Sequence, residues 1–396
     1  MIRLTRRQTL AGLAGMAVLP TVRAFGQSYL APNGPVEINI VDVAGNLALT
    51  QPALEAYAAA HPELVSRMNF TKAPSPELAG KIMAQQAANR IDIDMVLTGT
   101  DALSAGIEQN LWIKLLPEHA GALPNLQEIY QEPAWRMQGL AQDQGVVVTY
   151  YPSGPLIEFM PDRVPEPPTT AEGLLAWAKA NPNKFLYARP ANSGPGRTFL
   201  MGLPYLLGDK DPKDPINGWE KTWAYLKELG QYIEYYPTGT GALMKELGEG
   251  TRDMTVTTTG WDINPRVLGT VAAEAQVGKL DGFHWVADAH YMAVPKGVAD
   301  DKLAVLLDIM SYMLTPEAQA YAYDEGYFYP GPAIKDVPLS MAPQESQDAI
   351  AEFGREEYAD WIANNPIEVP LTPSLMVQAF EIWDKQIGAA AGQPPA

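Results

Sequence analysis

Short apolar segments of strand length recur along this chain, separated by stretches with helical periodicity, and that alternation limits its fold more than any other feature. The runs 36–43, 91–97, 145–151, 185–188, 254–258 and 291–294 are rich in β-branched or aromatic residues and are bounded by Gly, Asp, Asn and Pro. Several are nearly continuous in apolar character, the pattern of parallel strands buried on both faces. Helix signals lie between them. Ser75-Pro76-Glu77 supplies a cap, a first-turn proline and an acid ahead of 78–88. Thr169 and Glu172 have capping-box spacing and open 173–180. Leu303, Leu306, Leu307, Met310 and Leu314 mark one helical face, and Thr315-Pro316-Glu317 starts the next helix. Strands alternating with helices predict an α/β protein with layered sheets. No internal repeat interrupts this order, and the Ala/Gly/Pro-rich end, 391–396 in particular, is expected to be a flexible tail.

The amino-terminal segment stands apart from that pattern. Arg3, Arg6 and Arg7 precede a short, Gly-diluted apolar run over 10–19, and Val22-Arg23-Ala24 offers small residues at the positions a signal peptidase reads. The segment 1–24 is therefore expected to be a signal peptide, and the protein an exported, periplasmic one. Thr5-Arg6-Arg7-Gln8-Thr9-Leu10 resembles the twin-arginine export signal. The apolar run is shorter than the ~20 residues that span a bilayer, and no later stretch reaches that length. The chain beyond residue 24 is long enough for two domains.

Composition removes several functional classes. The chain has no cysteine, which excludes disulfides, iron–sulfur clusters, CxxCH haem attachment, thiolate zinc sites and a cysteine nucleophile. The net charge is −18, and because 1–24 holds four arginines and no acid, the remainder carries −22. Such a surface repels phosphate backbones and anionic lipid, so nucleic acid is not expected as a partner. It suits a cation, although acidity also serves solubility alone.

An enzyme needs convergent groups, and none is evident. The four histidines, His61, His119, His284 and His290, make no i, i+4 pair and no HExxH. Gly239-Thr240-Gly241 lacks the length and ending of a phosphate loop, and no GxSxG elbow occurs. Asp92 and Asp94 share a face of one expected strand, which reads more simply as a solvated strand end than as an acid–base pair. No cofactor, catalytic residue or metal site is expected.

Polar and aromatic residues instead cluster just after strands, where open α/β sheets bind ligands. The clusters are Asp42-Val43-Ala44-Gly45-Asn46, Thr98-Gly99-Thr100-Asp101, the run from Arg189 through Ser193 to Arg197-Thr198, and Thr259-Gly260-Trp261-Asp262. Small residues let backbone N–H groups approach a ligand, and helix amino ends favour polar groups. Trp261, Trp285, Tyr150 and Tyr151 are candidate stacking faces. The candidate ligand-binding set is Asn46, Thr100, Asp101, Tyr151, Arg189, Ser193, Arg197, Thr259, Trp261 and Asp288.

The segment His290-Tyr291-Met292-Ala293-Val294-Pro295-Lys296-Gly297, the helix 300–314, Thr315-Pro316-Glu317-Ala318-Gln319 and Tyr327-Phe328-Tyr329-Pro330-Gly331-Pro332 together resemble type II periplasmic solute-binding proteins of ABC transporters. Pro167 through Trp177 resembles the opening of that family's second lobe, and the likeness runs in order over nearly all of the chain after 1–24. Ala188-Arg189-Pro190-Ala191-Asn192-Ser193 is nearest to the polyamine-, thiamine- and iron-binding subgroup. Iron-binding members commonly carry adjacent tyrosines late in the chain, whereas Tyr150-Tyr151 and Tyr235-Tyr236 lie earlier. The resemblance implies two α/β lobes joined by crossover strands, one ligand in the cleft between them, hinge closure, and transient docking of a monomer on an inner-membrane permease. Lobe 1 is expected over 33–149 plus 290–340 and lobe 2 over 150–289 plus 341–390. The ligand expected is a small polar organic solute, with a polyamine-like or other organic cation favoured over a sugar or polyol. Arg189 and Arg197 would instead suit an organic anion, unless structural aspartates already pair them. An exported enzyme and a receptor-coupling module are the readings from other classes.

Overall fold

The computed structural model describes residues 21–24, 27–30, 32–73 and 75–390. The expected signal peptide lies outside these except for its last four residues, and the expected tail lies outside them entirely. Strands β1 (Thr21–Ala24) and β2 (Gln27–Leu30) pair as an antiparallel ribbon. β3 (Val36–Asp42), β4 (Val65–Lys72) and β5 (Met95–Gly99) then form a parallel set with β3 in the middle. Helices Leu47–Ala60 and Ser75–Ala87 make the crossovers. β6 (Val146–Gly154) belongs to the same sheet but runs on, through Pro155, into β7 (Leu156–Phe159) of a second sheet.

β8 (Phe185–Leu186), β9 (Met254–Thr257) and β10 (Gln276–Gly278) complete that second sheet, in the order β10-β7-β9-β8. β11 (Trp285–Ala293) returns the chain to the first sheet between β6 and β5. β12 (Gly331–Pro332) pairs with β6, and β13 (Ile367–Glu368) runs parallel to the start of β11. The first sheet is thus ordered β12-β6-β11-β5-β3-β4, with β13 off the path. Each sheet carries its own apolar core. One is built on Ile38, Ile40, Val96, Leu97, Val147 and Met292. The other is built on Phe185, Phe199, Leu200, Trp219, Leu226 and Trp383.

The alternation of strands and helices is present, but the sheets are mixed. β6 and β11 are antiparallel neighbours, buried along all nine residues of each. Burial on both faces yields the same continuous apolar signal whichever way a strand runs, so direction was not legible. β4 escaped the sequence reading because only its first residue is buried, as befits an edge strand. The second-lobe cap is Thr170, whose Oγ1 accepts from the Gly173 amide at 2.9 Å, so the capping-box register is one residue later than Thr169 implies. Thr315 caps its helix as expected, accepting from the Ala318 amide. Residues 91–94 lie outside β5. Asp94 is no solvated end: it is buried, ion-paired with Lys302 at 2.8 Å, and bonded to the Asn39 amide at 2.8 Å.

Candidate functional site

Strand ends and helix starts from both sheets converge on one cavity of about 220 Å³. From the first sheet, the loop after β3 is folded around the Asp42 carboxylate, which accepts from the amides of Ala44, Asn46 and Leu47 at 3.0–3.1 Å. Gly45 has φ +76° within this loop, and a Cβ there would lie 2.5 Å from the Tyr327 hydroxyl, so only glycine fits. The end of β5 contributes Gly99, and the helix Thr100–Glu108 that follows carries Asp101 to the rim.

From the second sheet, Ser193 caps the helix Gly194–Leu206: its Oγ accepts from the Gly196 amide at 3.2 Å. The same hydroxyl shares a 2.8 Å hydrogen bond with Thr240, the first residue of the helix Thr240–Gly248. Two helix amino ends are thereby tied together at the cavity wall. Arg197 projects from the first turn of the Ser193-capped helix, and the helix Thr259–Val267 supplies Trp261.

Asp288, on β11, is the electrostatic centre. Its Oδ1 accepts from Thr100 Oγ1 at 2.8 Å and its own-strand Ala289 amide at 3.0 Å. Its Oδ2 accepts from the Tyr151 hydroxyl at 2.8 Å and from the Arg197 guanidinium. Burial pushes this carboxyl upward, but Arg197 and the other donors outweigh burial and hold it below the usual carboxylate range. Burial likewise works against the Arg197 cation, and Asp288 and Asp101 more than restore it. Asp101 Oδ1 lies 3.6 Å from Arg197 Nη1. His290 is buried beside them; burial lowers its pKa against the pull of Asp288 and Asp42, so the ring is neutral at neutral pH. The Asn46 amide nitrogen sits 2.8 Å from Nδ1, which makes Nδ1 the acceptor and leaves the ring proton on Nε2.

Aromatic rings flank these groups. Tyr151 stacks on Phe328 with centroids 4.7 Å apart, and His290 meets Phe328 edge-on at 4.6 Å. Trp261 packs edge-on against Tyr327 at 5.3 Å. The lining thus offers two carboxylates against one guanidinium, together with aromatic faces.

Of the ten residues expected at the site, Asp101, Tyr151, Ser193, Arg197, Trp261 and Asp288 line the cavity. Asn46 and Thr100 stand one layer behind, orienting His290 and Asp288. Arg189 and Thr259 do not reach it. Arg189 is ion-paired with Asp384 at 2.9 Å and lies over the Trp383 ring, where its charge is already matched. The Thr259 hydroxyl donates to the Tyr329 carbonyl at 2.7 Å and is spent on joining its helix to that segment. Trp285 and Tyr150 are core residues rather than stacking faces. The expectation missed Thr240, His290, Tyr327 and Phe328. Thr240 follows no strand, and Tyr327 and Phe328 come from a turn segment after two helices, so position after a strand could not reveal them. Among the described residues, no group of three or more His, Asp or Glu side chains is placed to hold a metal ion.

The model of the bacterial extracellular solute-binding proteins matches residues 53–352. The chain belongs to that family of bacterial extracellular solute-binding proteins. Protein YnjB of Escherichia coli K12 is 25% identical over 205 residues, a match spanning 48% of this chain and half of that protein's length. Among solved structures, a periplasmic thiamin binding protein superposes with a TM-score of 0.63 at 13% identity, over 92% of this chain and 99% of that one. The spermidine/putrescine transporter substrate-binding protein PotD of Streptococcus pneumoniae gives 0.56 at 14%, over 88% and 99%. At these identities the likeness defines the fold: two α/β lobes of the type II periplasmic-binding-protein kind, with the ligand cleft between them.

Proposed function

We propose that this protein captures a small organic cation from the periplasm and delivers it to an ABC permease. The observation that carries this reading is the cavity's charge: Asp101 and Asp288 face one arginine and a neutral histidine, so the lining is net negative among aromatic faces. The same geometry weakens the organic-anion alternative. Arg189 is paired outside the cavity and Arg197 is engaged by two aspartates, so neither guanidinium is free for a ligand carboxylate or phosphate. A sugar or polyol could also use the aromatic walls and donate hydroxyls to the carboxylates, but it would not balance their net negative charge.

The protein acts as a monomer, exported through the twin-arginine route and processed near Ala24. Capture is by hinge closure, and lobes over 33–149 with 290–340 and 150–289 with 341–390 are consistent with strands that leave one sheet for the other at Gly154-Pro155 and between β10 and β11. A thermal-shift screen of the processed protein tests the ligand class, because a ligand that binds only the folded state raises the melting temperature by mass action. Putrescine, spermidine, thiamine or choline should stabilise it and be recovered unchanged. Stabilisation by sugars, polyols or organic acids alone, or turnover of a hit without any partner protein, would refute this reading.

A further inference from the structure

His290 carries a polar atom that the bonding within the site leaves unused. Its Nδ1 is taken by the Asn46 side-chain amide at 2.8 Å. Thr50 Oγ1 donates to Asn46 Oδ1 at 2.9 Å, which fixes the end of that amide that meets the ring. Nε2 therefore holds the ring proton, and it finds no acceptor among the described residues. His290 is 2% exposed yet lines the cavity, so this N–H is a buried donor available to a ligand.

Asp101 is its complement. Its side chain lines the cavity, keeps 16% exposure and accepts no hydrogen bond among the described residues. Arg197 Nη1, at 3.6 Å, attracts it without bonding it. The two groups are neighbours: Asp101 Oδ1 lies 2.8 Å, and His290 Cδ2 3.9 Å, from the position a Cβ would take on Gly99. A charged acceptor and an unspent donor thus flank one spot at the end of β5. Ser193 and Thr240 also bring the amino ends of the helices Gly194–Leu206 and Thr240–Gly248 to this cavity. Each such end carries up to about half an elementary positive charge, and the second has no side-chain cap. The formal charges leave this contribution out, and it lets an anionic group sit beside a cationic one.

We propose that the ligand is a short zwitterion whose cationic group pairs with Asp101 and whose carboxylate accepts the Nε2 proton of His290, so that His290 selects against simple cations. The Asp101 half rests on the cation reading; the His290 half is additional to it.

Matched pairs test this by calorimetry on the processed protein: glycine betaine against choline, and 4-aminobutanoate against putrescine. In each pair a carboxylate replaces a hydroxymethyl or aminomethyl group. At least one zwitterion should bind about tenfold or more tightly than its partner, as a hydrogen bond to a charged group requires. His290→Phe, which keeps a ring against Phe328, should bring that ratio below about threefold, and His290→Gln, which keeps an N–H, should retain part of it. Should His290→Phe fail to fold, the wild-type ratios still decide. Zwitterions that bind no more tightly than their partners, or not at all, overturn the proposal, and binding of choline or putrescine then shows that the cation reading survives it. An unchanged ratio in folded His290→Phe overturns it as well. Absence of binding by all four compounds overturns it too, and removes the support of this pair of cations from the cation reading.

Discussion

Asp288 and Asp262 are both buried aspartates that accept from arginine and from a tyrosine hydroxyl, yet they hold different kinds of joint. Asp288 faces the cavity on β11, and its arginine reaches it from the helix Gly194–Leu206, which packs in the second core. Asp262 is fully buried away from the cavity. It accepts from Arg355 at 2.7 and 3.0 Å, from Tyr358 at 2.7 Å and from Arg266 at 3.2 Å. Those bonds fasten the helix bearing Trp261 to the segment beyond Phe353. Gly260, at the start of that helix, sits so close to the next strip of cavity wall that a Cβ would come within 2.0 Å of the Tyr327 carbonyl oxygen. One charge cluster therefore fixes a wall, and the other joins the two sheets at the cavity. The same side-chain chemistry closes one cluster entirely and, at the other, leaves a neighbouring carboxylate, Asp101, partly exposed to the cavity.

The largest expected effect breaks the fixed joint. Asp262→Asn leaves Arg266 and Arg355 buried without their counter-charge and should cost about 3–5 kcal/mol of folding stability, measured by urea denaturation. A loss under ~1 kcal/mol would show that the joint is not electrostatic. Asp101→Asn alters a cavity-lining side chain and should barely change stability. It should weaken organic-cation binding by about 1.5–3 kcal/mol, the worth of a hydrogen bond to a charged group, measured by calorimetry. Equal affinity would remove Asp101 from the ligand's contacts. Trp261→Ala should weaken binding by about 0.5–2 kcal/mol with an unchanged fold by circular dichroism, as expected for a lost cation–π face.

The smallest expected effect separates the joints by pH. Glu158 is buried beside the Asp262 cluster with no hydrogen-bond partner among the described residues; burial, and then Asp262, push its carboxyl well above the usual range. A raised folded-state pKa means the native protein holds more protons, so this group's contribution falls as pH rises from the ordinary carboxylate range toward that raised value. Asp288 has the opposite sign: its folded-state pKa is lowered, so its contribution is present above the ordinary carboxylate value and is lost on acidification. Glu158→Gln should therefore gain stability relative to wild type as pH rises above the ordinary carboxylate range, followed by thermal unfolding. A difference independent of pH would show that Glu158 is already charged in the folded state.

Much of this was legible in the sequence. The strand-end rule found Asp101, Ser193, Arg197 and Trp261, because small and polar residues after a strand mark where backbone and helix ends face a cleft. It failed where a residue's task depends on a distant partner. Arg189 and Thr259 carry the right chemistry at the right position, but Asp384 and the Tyr329 carbonyl already occupy them. Tyr327 and Phe328 reach the cavity from beyond two helices, a placement set by packing against Gly45 and Gly260 rather than by a local pattern. The distinction between a saturated Asp288 and an unsaturated Asp101 exists only once the two sheets are assembled.

The most direct test of the account is a calorimetric titration of the processed wild-type protein with putrescine, spermidine, thiamine and choline, repeated at low and high salt. At least one of them should bind saturably, one to one, and less tightly at high salt, as carboxylate pairing requires. Absence of binding by every cation, with saturable binding of a neutral sugar or an organic anion instead, would contradict it.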